Sequence, residues 1–257
     1  MDPTPLHLVF LAVAGLAAGI LGTAGGITSL IAYPALLAVG VPPFSANITN
    51  SISLLGSGLG SSMGSRPELR GHGATLRRWV PVAVVGALAG ALLLLATPPG
   101  VFEWIVPFLV AAAGILLLVQ PRITRWHAER DRPIGTAAVA AAILGVTIYD
   151  GYFGAGSGVL MIAVVLILID HDLARANALK NVILFFADLL PAVLFALAGP
   201  VAWAAVLPLG LGALAGGLIG PRLMRRAPRT PVRIAIAVLA LGLAAWLLIQ
   251  AVAGSMS

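Results

Sequence analysis

Residues 6–39 read LHLVFLAVAGLAAGILGTAGGITSLIAYPALLAV, and residues 134–169 read IGTAAVAAAILGVTIYDGYFGAGSGVLMIAVVLILI. Both runs are far longer than the roughly 20 apolar residues that cross a bilayer once. Each is interrupted near its middle by glycines, GTAGG at 22–26 and GYFGAGSG at 151–158. This pattern predicts two helical hairpins inside a membrane, each folded at a glycine tip. Bare backbone at that depth is tolerated only when it is buried in protein or lines a wet cavity.

Composition agrees. Of 257 residues, 60% are hydrophobic and 9% charged, against about 25% charged in soluble domains, and the mean hydropathy is +1.05. There is no cysteine, which excludes disulfides, iron–sulfur clusters and cysteine zinc sites. No nucleotide-binding motif is present, and none of the four histidines stands at metal spacing from another ligand. No cofactor is expected. The net charge of +6 reads as basic loops on one membrane face rather than nucleic-acid binding.

The two halves resemble each other in one order. At an offset of 132, Gly19, Gly22 and Gly26 fall on Gly151, Gly154 and Gly158; at 130, Ala46-Asn47 fall on Ala176-Asn177; at 126, GALAG at 86–90 falls on GALAG at 212–216. The domains expected are a first repeat at 1–120, a linker loop at 121–133 and a second repeat at 134–257. All 15 Lys and Arg residues lie in or beside the loops at 66–78, 121–133, 170–175 and 221–231. The positive-inside rule makes that face cytoplasmic and both termini external. The first repeat then starts outside and the second inside, which inverts their topology.

The fold class that follows is an all-α polytopic membrane protein of two inverted-topology repeats. Each repeat is a helical hairpin with a glycine-rich break plus three membrane-spanning helices. The first hairpin's arms, Leu6–Leu21 and Ile27–Val39, would span about 24 and 20 Å as helix, short of a hydrocarbon core of about 30 Å. Arms that stop short of a clean crossing are therefore expected. Trp79, Trp104, Trp203 and Trp246 near span ends read as interfacial anchors.

Candidate site residues come from the tips and from the element after each hairpin. A helix that starts at a break has amides with no helical partner and a dipole that favours an anion. Gly22, Gly25 and Gly26 and Gly154, Gly156 and Gly158 are the candidate backbone contacts, with Ser157 as a side-chain donor. At 100° per residue, Asn47, Asn50, Ser51, Gly58 and Ser61 share one face, and Asn177, Lys180, Asn181 and Asp188 share another. Such stripes face protein or water. Lys180 either snorkels to the interface or is the counter-charge of an anion. Asp188, with Pro191 three residues on, is a candidate ion or proton site. Asp150 has no acidic counterpart in the first half and either pairs with Lys180 or takes a proton. The glycine pairs Gly15/Gly19, Gly86/Gly90 and Gly212/Gly216 read as close helix packing.

GILGTAGGITSLIAYPALLAVGVPPFSANITNS and GYFGAGSGVLMIAVVLILIDHDLARANALKN resemble the TauE/SafE sulfite-exporter family, also called the 4-toluene sulfonate uptake permease family. Tyr33-Pro34-Ala35-Leu36, Ala46-Asn47, Gly154, Gly156, Gly158, Ala176 and Lys180 carry the resemblance. Thr23 and Ala24 depart from a denser glycine run, and Leu166 stands where a second proline would match Pro34. The resemblance implies a bacterial inner-membrane carrier of a small sulfur-containing oxyanion or organosulfonate, without fixing substrate or direction. The expected partners are the anion, a coupling ion or proton, and the bilayer. An anion channel, an intramembrane enzyme built on Ser157 and a structural membrane protein are the alternatives.

Overall fold

The structure, a computed structural model, describes residues 4–127, 135–224 and 229–254. The described residues are helical throughout, with no strand. In chain order the helices are α1 (Pro5–Gly25), α2 (Ser29–Ala38), α3 (Pro43–Gly64), α4 (Gly73–Ala96), α5 (Pro99–His127), α6 (Thr136–Tyr152), α7 (Ser157–Leu168), α8 (Leu173–Ala198), α9 (Trp203–Met224) and α10 (Arg229–Gly254). A 3₁₀ turn at Arg66–Leu69 precedes α4. Six of these helices, α1, α4, α5, α8, α9 and α10, are long and apolar enough to cross a membrane. Leu6, Val9 and Val13 on α1, Leu207 and Leu211 on α9 and Val238 and Leu239 on α10 point outward, an apolar exterior suited to lipid. The chain is a multi-pass membrane protein.

The hairpins fall where the glycines stand, with one difference in length. α1 continues to Gly25 and has 21 residues, about 32 Å, so the first arm is long enough to cross and does not stop at Leu21. GTAG stays helical, with the Thr23 hydroxyl donating to the Gly19 carbonyl. The chain reverses at Gly26 instead, at φ 68°. Its amide donates to the Gly22 carbonyl at 2.7 Å, the left-handed glycine cap that ends helices. The returning α2 has 10 residues. In the second hairpin α6 has 17 residues and α7 has 12. Its break holds Gly154 and Gly156 at φ 77° and 80°, and Tyr149 Oη closes it by donating to the Ala155 carbonyl at 2.6 Å.

Helix packing treats the halves alike. α1 packs on α9 as α6 packs on α4; α3 packs on α9 as α8 packs on α4; α3 meets α8, and α5 meets α10. Small residues set these approaches. A Cβ on Gly90 would lie 2.8 Å from the Tyr152 amide nitrogen, and one on Gly216 would lie 2.8 Å from that of Ile20. GALAG in α4 and α9 thus grips the first arm of the opposite half's hairpin.

Three further features differ from the sequence reading. α5 stays helical through His127, so the linker expected at 121–133 is helix in its first part; 128–134 lie outside the described residues, as do Arg225 and Arg226. Trp79 is 7% exposed and packs in the apolar cluster of α4, α6, α7 and α8, with the Arg78 guanidinium 4.9 Å over its ring. It is a core residue, whereas Trp104, Trp203 and Trp246 face outward. α3 has 22 residues but is too polar to count among the apolar spans. It buries Asn47, Thr49, Asn50, Ser53, Ser57 and Ser61, and its polar side therefore faces protein.

The loops on the two faces are tied differently. At the basic face, Asp170 receives Arg175 Nε at 3.0 Å and the Asp172 amide at 2.9 Å, with His72 Nε2 at 3.6 Å. Partial burial pushes the Asp170 carboxyl up, but the Arg175 hydrogen bond, the Asp172 amide and the charges of Arg175 and His72 outweigh it. The carboxyl lies below its ordinary value. At the opposite face no charge is used: Thr49 Oγ1 accepts from the Ala202 amide at 3.0 Å, and Ser45 donates to the Pro200 carbonyl.

Candidate functional site

The two glycine tips meet. A Cβ on Gly158 would lie 2.5 Å from Gly26 Cα, and one on Gly26 would collide with the Gly158 carbonyl carbon and the Val159 nitrogen. Only glycine at both positions allows this approach, and Gly26 also needs its positive φ.

Beside this contact is a cavity of about 90 Å³. The first half lines it with Gly22, Thr23, Gly26, Thr28 and Ser29 of the hairpin and Leu54, Ser57, Gly58 and Ser61 of α3; the second half contributes Asp150, Gly154, Ser157, Gly158, Lys180, Asn181, Leu184 and Phe185. The starts of α2 and α7 both border it. The amides of Leu30 and Ile31 turn back to Ile27 and Thr28, and those of Val159 and Leu160 to Gly156. The earlier amides of Ser29 and Gly158 are those that first-turn geometry leaves to a ligand.

Lys180 is 2% exposed and donates from Nζ to the Thr23 carbonyl at 3.3 Å, so it does not snorkel. Its ammonium sits at the C-terminal end of α1, where the helix dipole favours a cation, and it faces the cavity from there. The equivalent in the other direction is Asn47, whose Nδ2 donates to the Tyr152 carbonyl at 2.9 Å, at the end of α6. Each hairpin's broken helix end is therefore capped by the third helix of the opposite half. Asn181 Nδ2 reaches Ser65 Oγ at 3.5 Å.

Of the residues singled out by sequence, Gly22, Gly26, Gly154, Ser157, Gly158, Lys180, Asn181 and Asp150 line the cavity. Asn50 stands behind it, donating to Ser29 Oγ at 3.2 Å. Ser51 donates to the Asn47 carbonyl of its own helix, and Gly156 abuts Ala113 of α5. Neither borders the cavity, nor does Asn177, whose Oδ1 is buried without a partner. Gly25 ends α1, and its surroundings lie outside what is described. Asp188, one turn beyond Leu184 and Phe185 on α8, reaches the Asp150 carboxyl, which also meets Ser157.

Thr23, Thr28, Ser29, Leu54, Ser57, Leu184 and Phe185 complete the wall and were not among the sequence candidates. Ser57 and Leu54 continue Ser61 at helical spacing, so the α3 stripe contained the signal. Thr28-Ser29 is the first polar pair after the glycine break, a helix-start signature.

Beside the second tip, five aromatic rings pack against one another. Tyr33 meets Phe153 edge-on at 5.5 Å and Phe44 meets Phe102 at 5.6 Å; Phe102 also contacts Tyr152 and Phe153 at 6.1 and 6.2 Å.

A family described as sulfite exporter TauE/SafE matches residues 9–247. The chain belongs to the TauE/SafE sulfite-exporter family. That span contains both tips, both stripes and every cavity residue, so the paired-hairpin site lies wholly within the matched residues. Among curated TauE/SafE-like relatives, a probable membrane transporter protein of Haemophilus influenzae is 28% identical over 88% of this chain and 88% of its own. Probable membrane transporter protein ORF9 of Sinorhizobium sp is 31% identical over 86% of this chain and 85% of its own. Probable membrane transporter protein YfcA of Escherichia coli K12 is 27% identical, covering 86% and 82%. No solved structure matches the chain.

Proposed function

We propose that the chain is a secondary transporter that moves a small anion, a sulfur-containing oxyanion or small organosulfonate, across the cytoplasmic membrane by alternating access between two inverted repeats. The observation that carries this reading is the position of Lys180: a buried ammonium on the wall of a small cavity that two helix N-termini also border. Cation, dipoles and spare amides converge on one small space, an arrangement suited to an anion. The relatives' description as membrane transporters supports it.

Size narrows the class. Pockets for drug-sized molecules run about 300–1,000 Å³, and this one is about 90 Å³. It suits sulfite, sulfate, thiosulfate or a one- or two-carbon sulfonate better than an aryl sulfonate. The exchange-invariant packing of α1–α5 and α6–α10 supports inverted repeats, with the tips at their shared centre. Basic loops inside and both termini outside remain the orientation expected.

The test uses purified protein in two stages. A thermal-shift panel of sulfite, sulfate, thiosulfate, small sulfonates and carboxylates should single out one of the sulfur anions. Proteoliposomes loaded with that anion should then show saturable counterflow. Conductance far above carrier turnover would favour the channel, and silence toward every anion would remove the reading.

A further inference from the structure

We propose that Asp150 and Asp188 form a carboxyl pair that takes up one proton from solution as the anion binds and releases it with the anion, making this site a proton–anion symport site. The proposal rests on the anion reading above and names its coupling partner.

The geometry is specific. Asp150 lines the same cavity as Lys180, so any anion there would meet a carboxyl as well as an ammonium. The Asp150 carboxyl meets two groups, Ser157 and Asp188. Its Oδ2 is buried and has no donor facing it. An ionised carboxylate only accepts hydrogen bonds, so two carboxyls in contact need a proton between them. The pair titrates as a unit.

Among the described residues, no Lys, Arg or His forms an ion pair with either carboxyl. On α8, Lys180 is committed to the Thr23 carbonyl, and Arg175 is held by Asp170 at the basic face. On α4, Arg78 is drawn to Thr136, and Arg77 lies beside it near the same end. α7 and α3 carry no Asp, Glu, His, Lys or Arg. α1 has only His7, two residues from its start at the far face. On α6 itself, Tyr149 donates to Ala155. Glu103 is on α5, and Arg66 and Glu68 sit in the 3₁₀ turn, which packs on α8.

Charge accounting then fixes the coupling. One shared proton leaves the pair at −1 and Lys180 at +1, a neutral site with no net attraction for an anion. A second proton makes the site +1 and matches a monoanion. Proton and anion therefore bind together, and each strengthens the other's affinity by the same factor.

The experiment is calorimetry of methanesulfonate and of ethanesulfonate, monoanions that do not titrate near neutral pH, binding to the detergent-purified protein, repeated in buffers of different ionisation enthalpy. The buffer dependence gives the protons taken up; about one per anion is expected near neutral pH. Asp188→Asn should bring that number close to zero and flatten the pH dependence of binding. Infrared difference spectra of the wild type should carry a protonated-carboxyl band that Asp188→Asn removes and Lys180→Gln retains. Anion binding with no proton uptake in the wild type overturns the proposal and leaves the anion reading standing. So does binding that requires sodium in place of the proton. If neither sulfonate binds, the proposal falls, and silence of the whole thermal-shift panel removes the anion reading as well. If the Asn variant does not fold, the wild-type infrared band decides: a protonated-carboxyl band that grows on anion binding supports the pair, and proton uptake without it overturns the proposal in favour of Lys180.

Discussion

Gly26 and Gly158 face each other across the middle of the protein, so close that a side chain on Gly158 would place its Cβ 2.5 Å from Gly26 Cα. The contact joins the two hairpins and forms one edge of the cavity. Gly158→Ala and Gly26→Leu should therefore force the tips apart. Binding in a thermal-shift assay should be lost, while membrane insertion and monodisperse elution persist. Gly73→Ala and Gly242→Ala, where an added Cβ meets nothing within 4 Å, serve as controls. Normal uptake by either tip variant would detach the tip contact from the site.

Lys180 faces the cavity from the C-terminal end of α1. A hydrogen bond to a charged group is worth about 1.5–3 kcal/mol, or roughly 10- to 100-fold in affinity. Lys180→Gln should raise the apparent Kd for the preferred anion by about that factor. Titration of the purified variant measures it. An unchanged Kd would reduce Lys180 to a cap on α1.

Asn47 ties the end of α6 from the other half through the Tyr152 carbonyl. Asn47→Ala leaves that carbonyl without its side-chain donor in a dry setting, at a cost of about 1–3 kcal/mol. The thermal midpoint should fall by roughly 2–4 °C for each kcal/mol at this size. Asn47→Asp keeps the shape but offers only acceptors when ionised, and should do no better than Ala. Equal melting of Asn47→Ala and wild type would show that water replaces the side chain.

The loop between α7 and α8 gives a pH prediction. Asp170 is lowered in the folded state by Arg175, the Asp172 amide and His72, against a smaller opposing effect than their sum from burial. A lowered acid stabilises the fold above its unfolded-state pKa and loses that contribution as pH falls through the folded value. The stability difference between wild type and Asp170→Asn should thus be constant near neutrality and shrink below about pH 4. Thermal melts across pH measure it; a difference that persists into strong acid would assign the effect to packing rather than charge.

Much of the site could be read from residue order because the physics involved is local. A glycine cluster in an apolar run demands a break, and a polar stripe at helical spacing demands a protein-facing side; Gly26, Gly158, Asn50 and Ser61 followed from these rules. Lys180 was named with two readings open, because residue count gives depth along α8 and not which way a long side chain turns; the Thr23 carbonyl that decides between them is 157 positions away. The length of α1 was hidden too, because GTAGG reads as a break although the helix runs on to Gly25. Trp79 was read by its place near a helix end, but the packing of α4 on α6 and α8 puts it indoors.

The exchange of caps between halves bears on how such a protein can come into being. If the chain were severed between His127 and Gly135, one fragment would hold Asn47 without Tyr152, and the other Lys180 without Thr23. Each would insert with a helix end left raw in hydrocarbon and a spare donor aimed at nothing. Complementary fragments should therefore stay poorly folded apart and recover each other when made together. If the two halves descend from one duplicated unit, that unit would have had to work as a pair of identical chains, each closing the other's hairpin, before fusion made the partnership permanent.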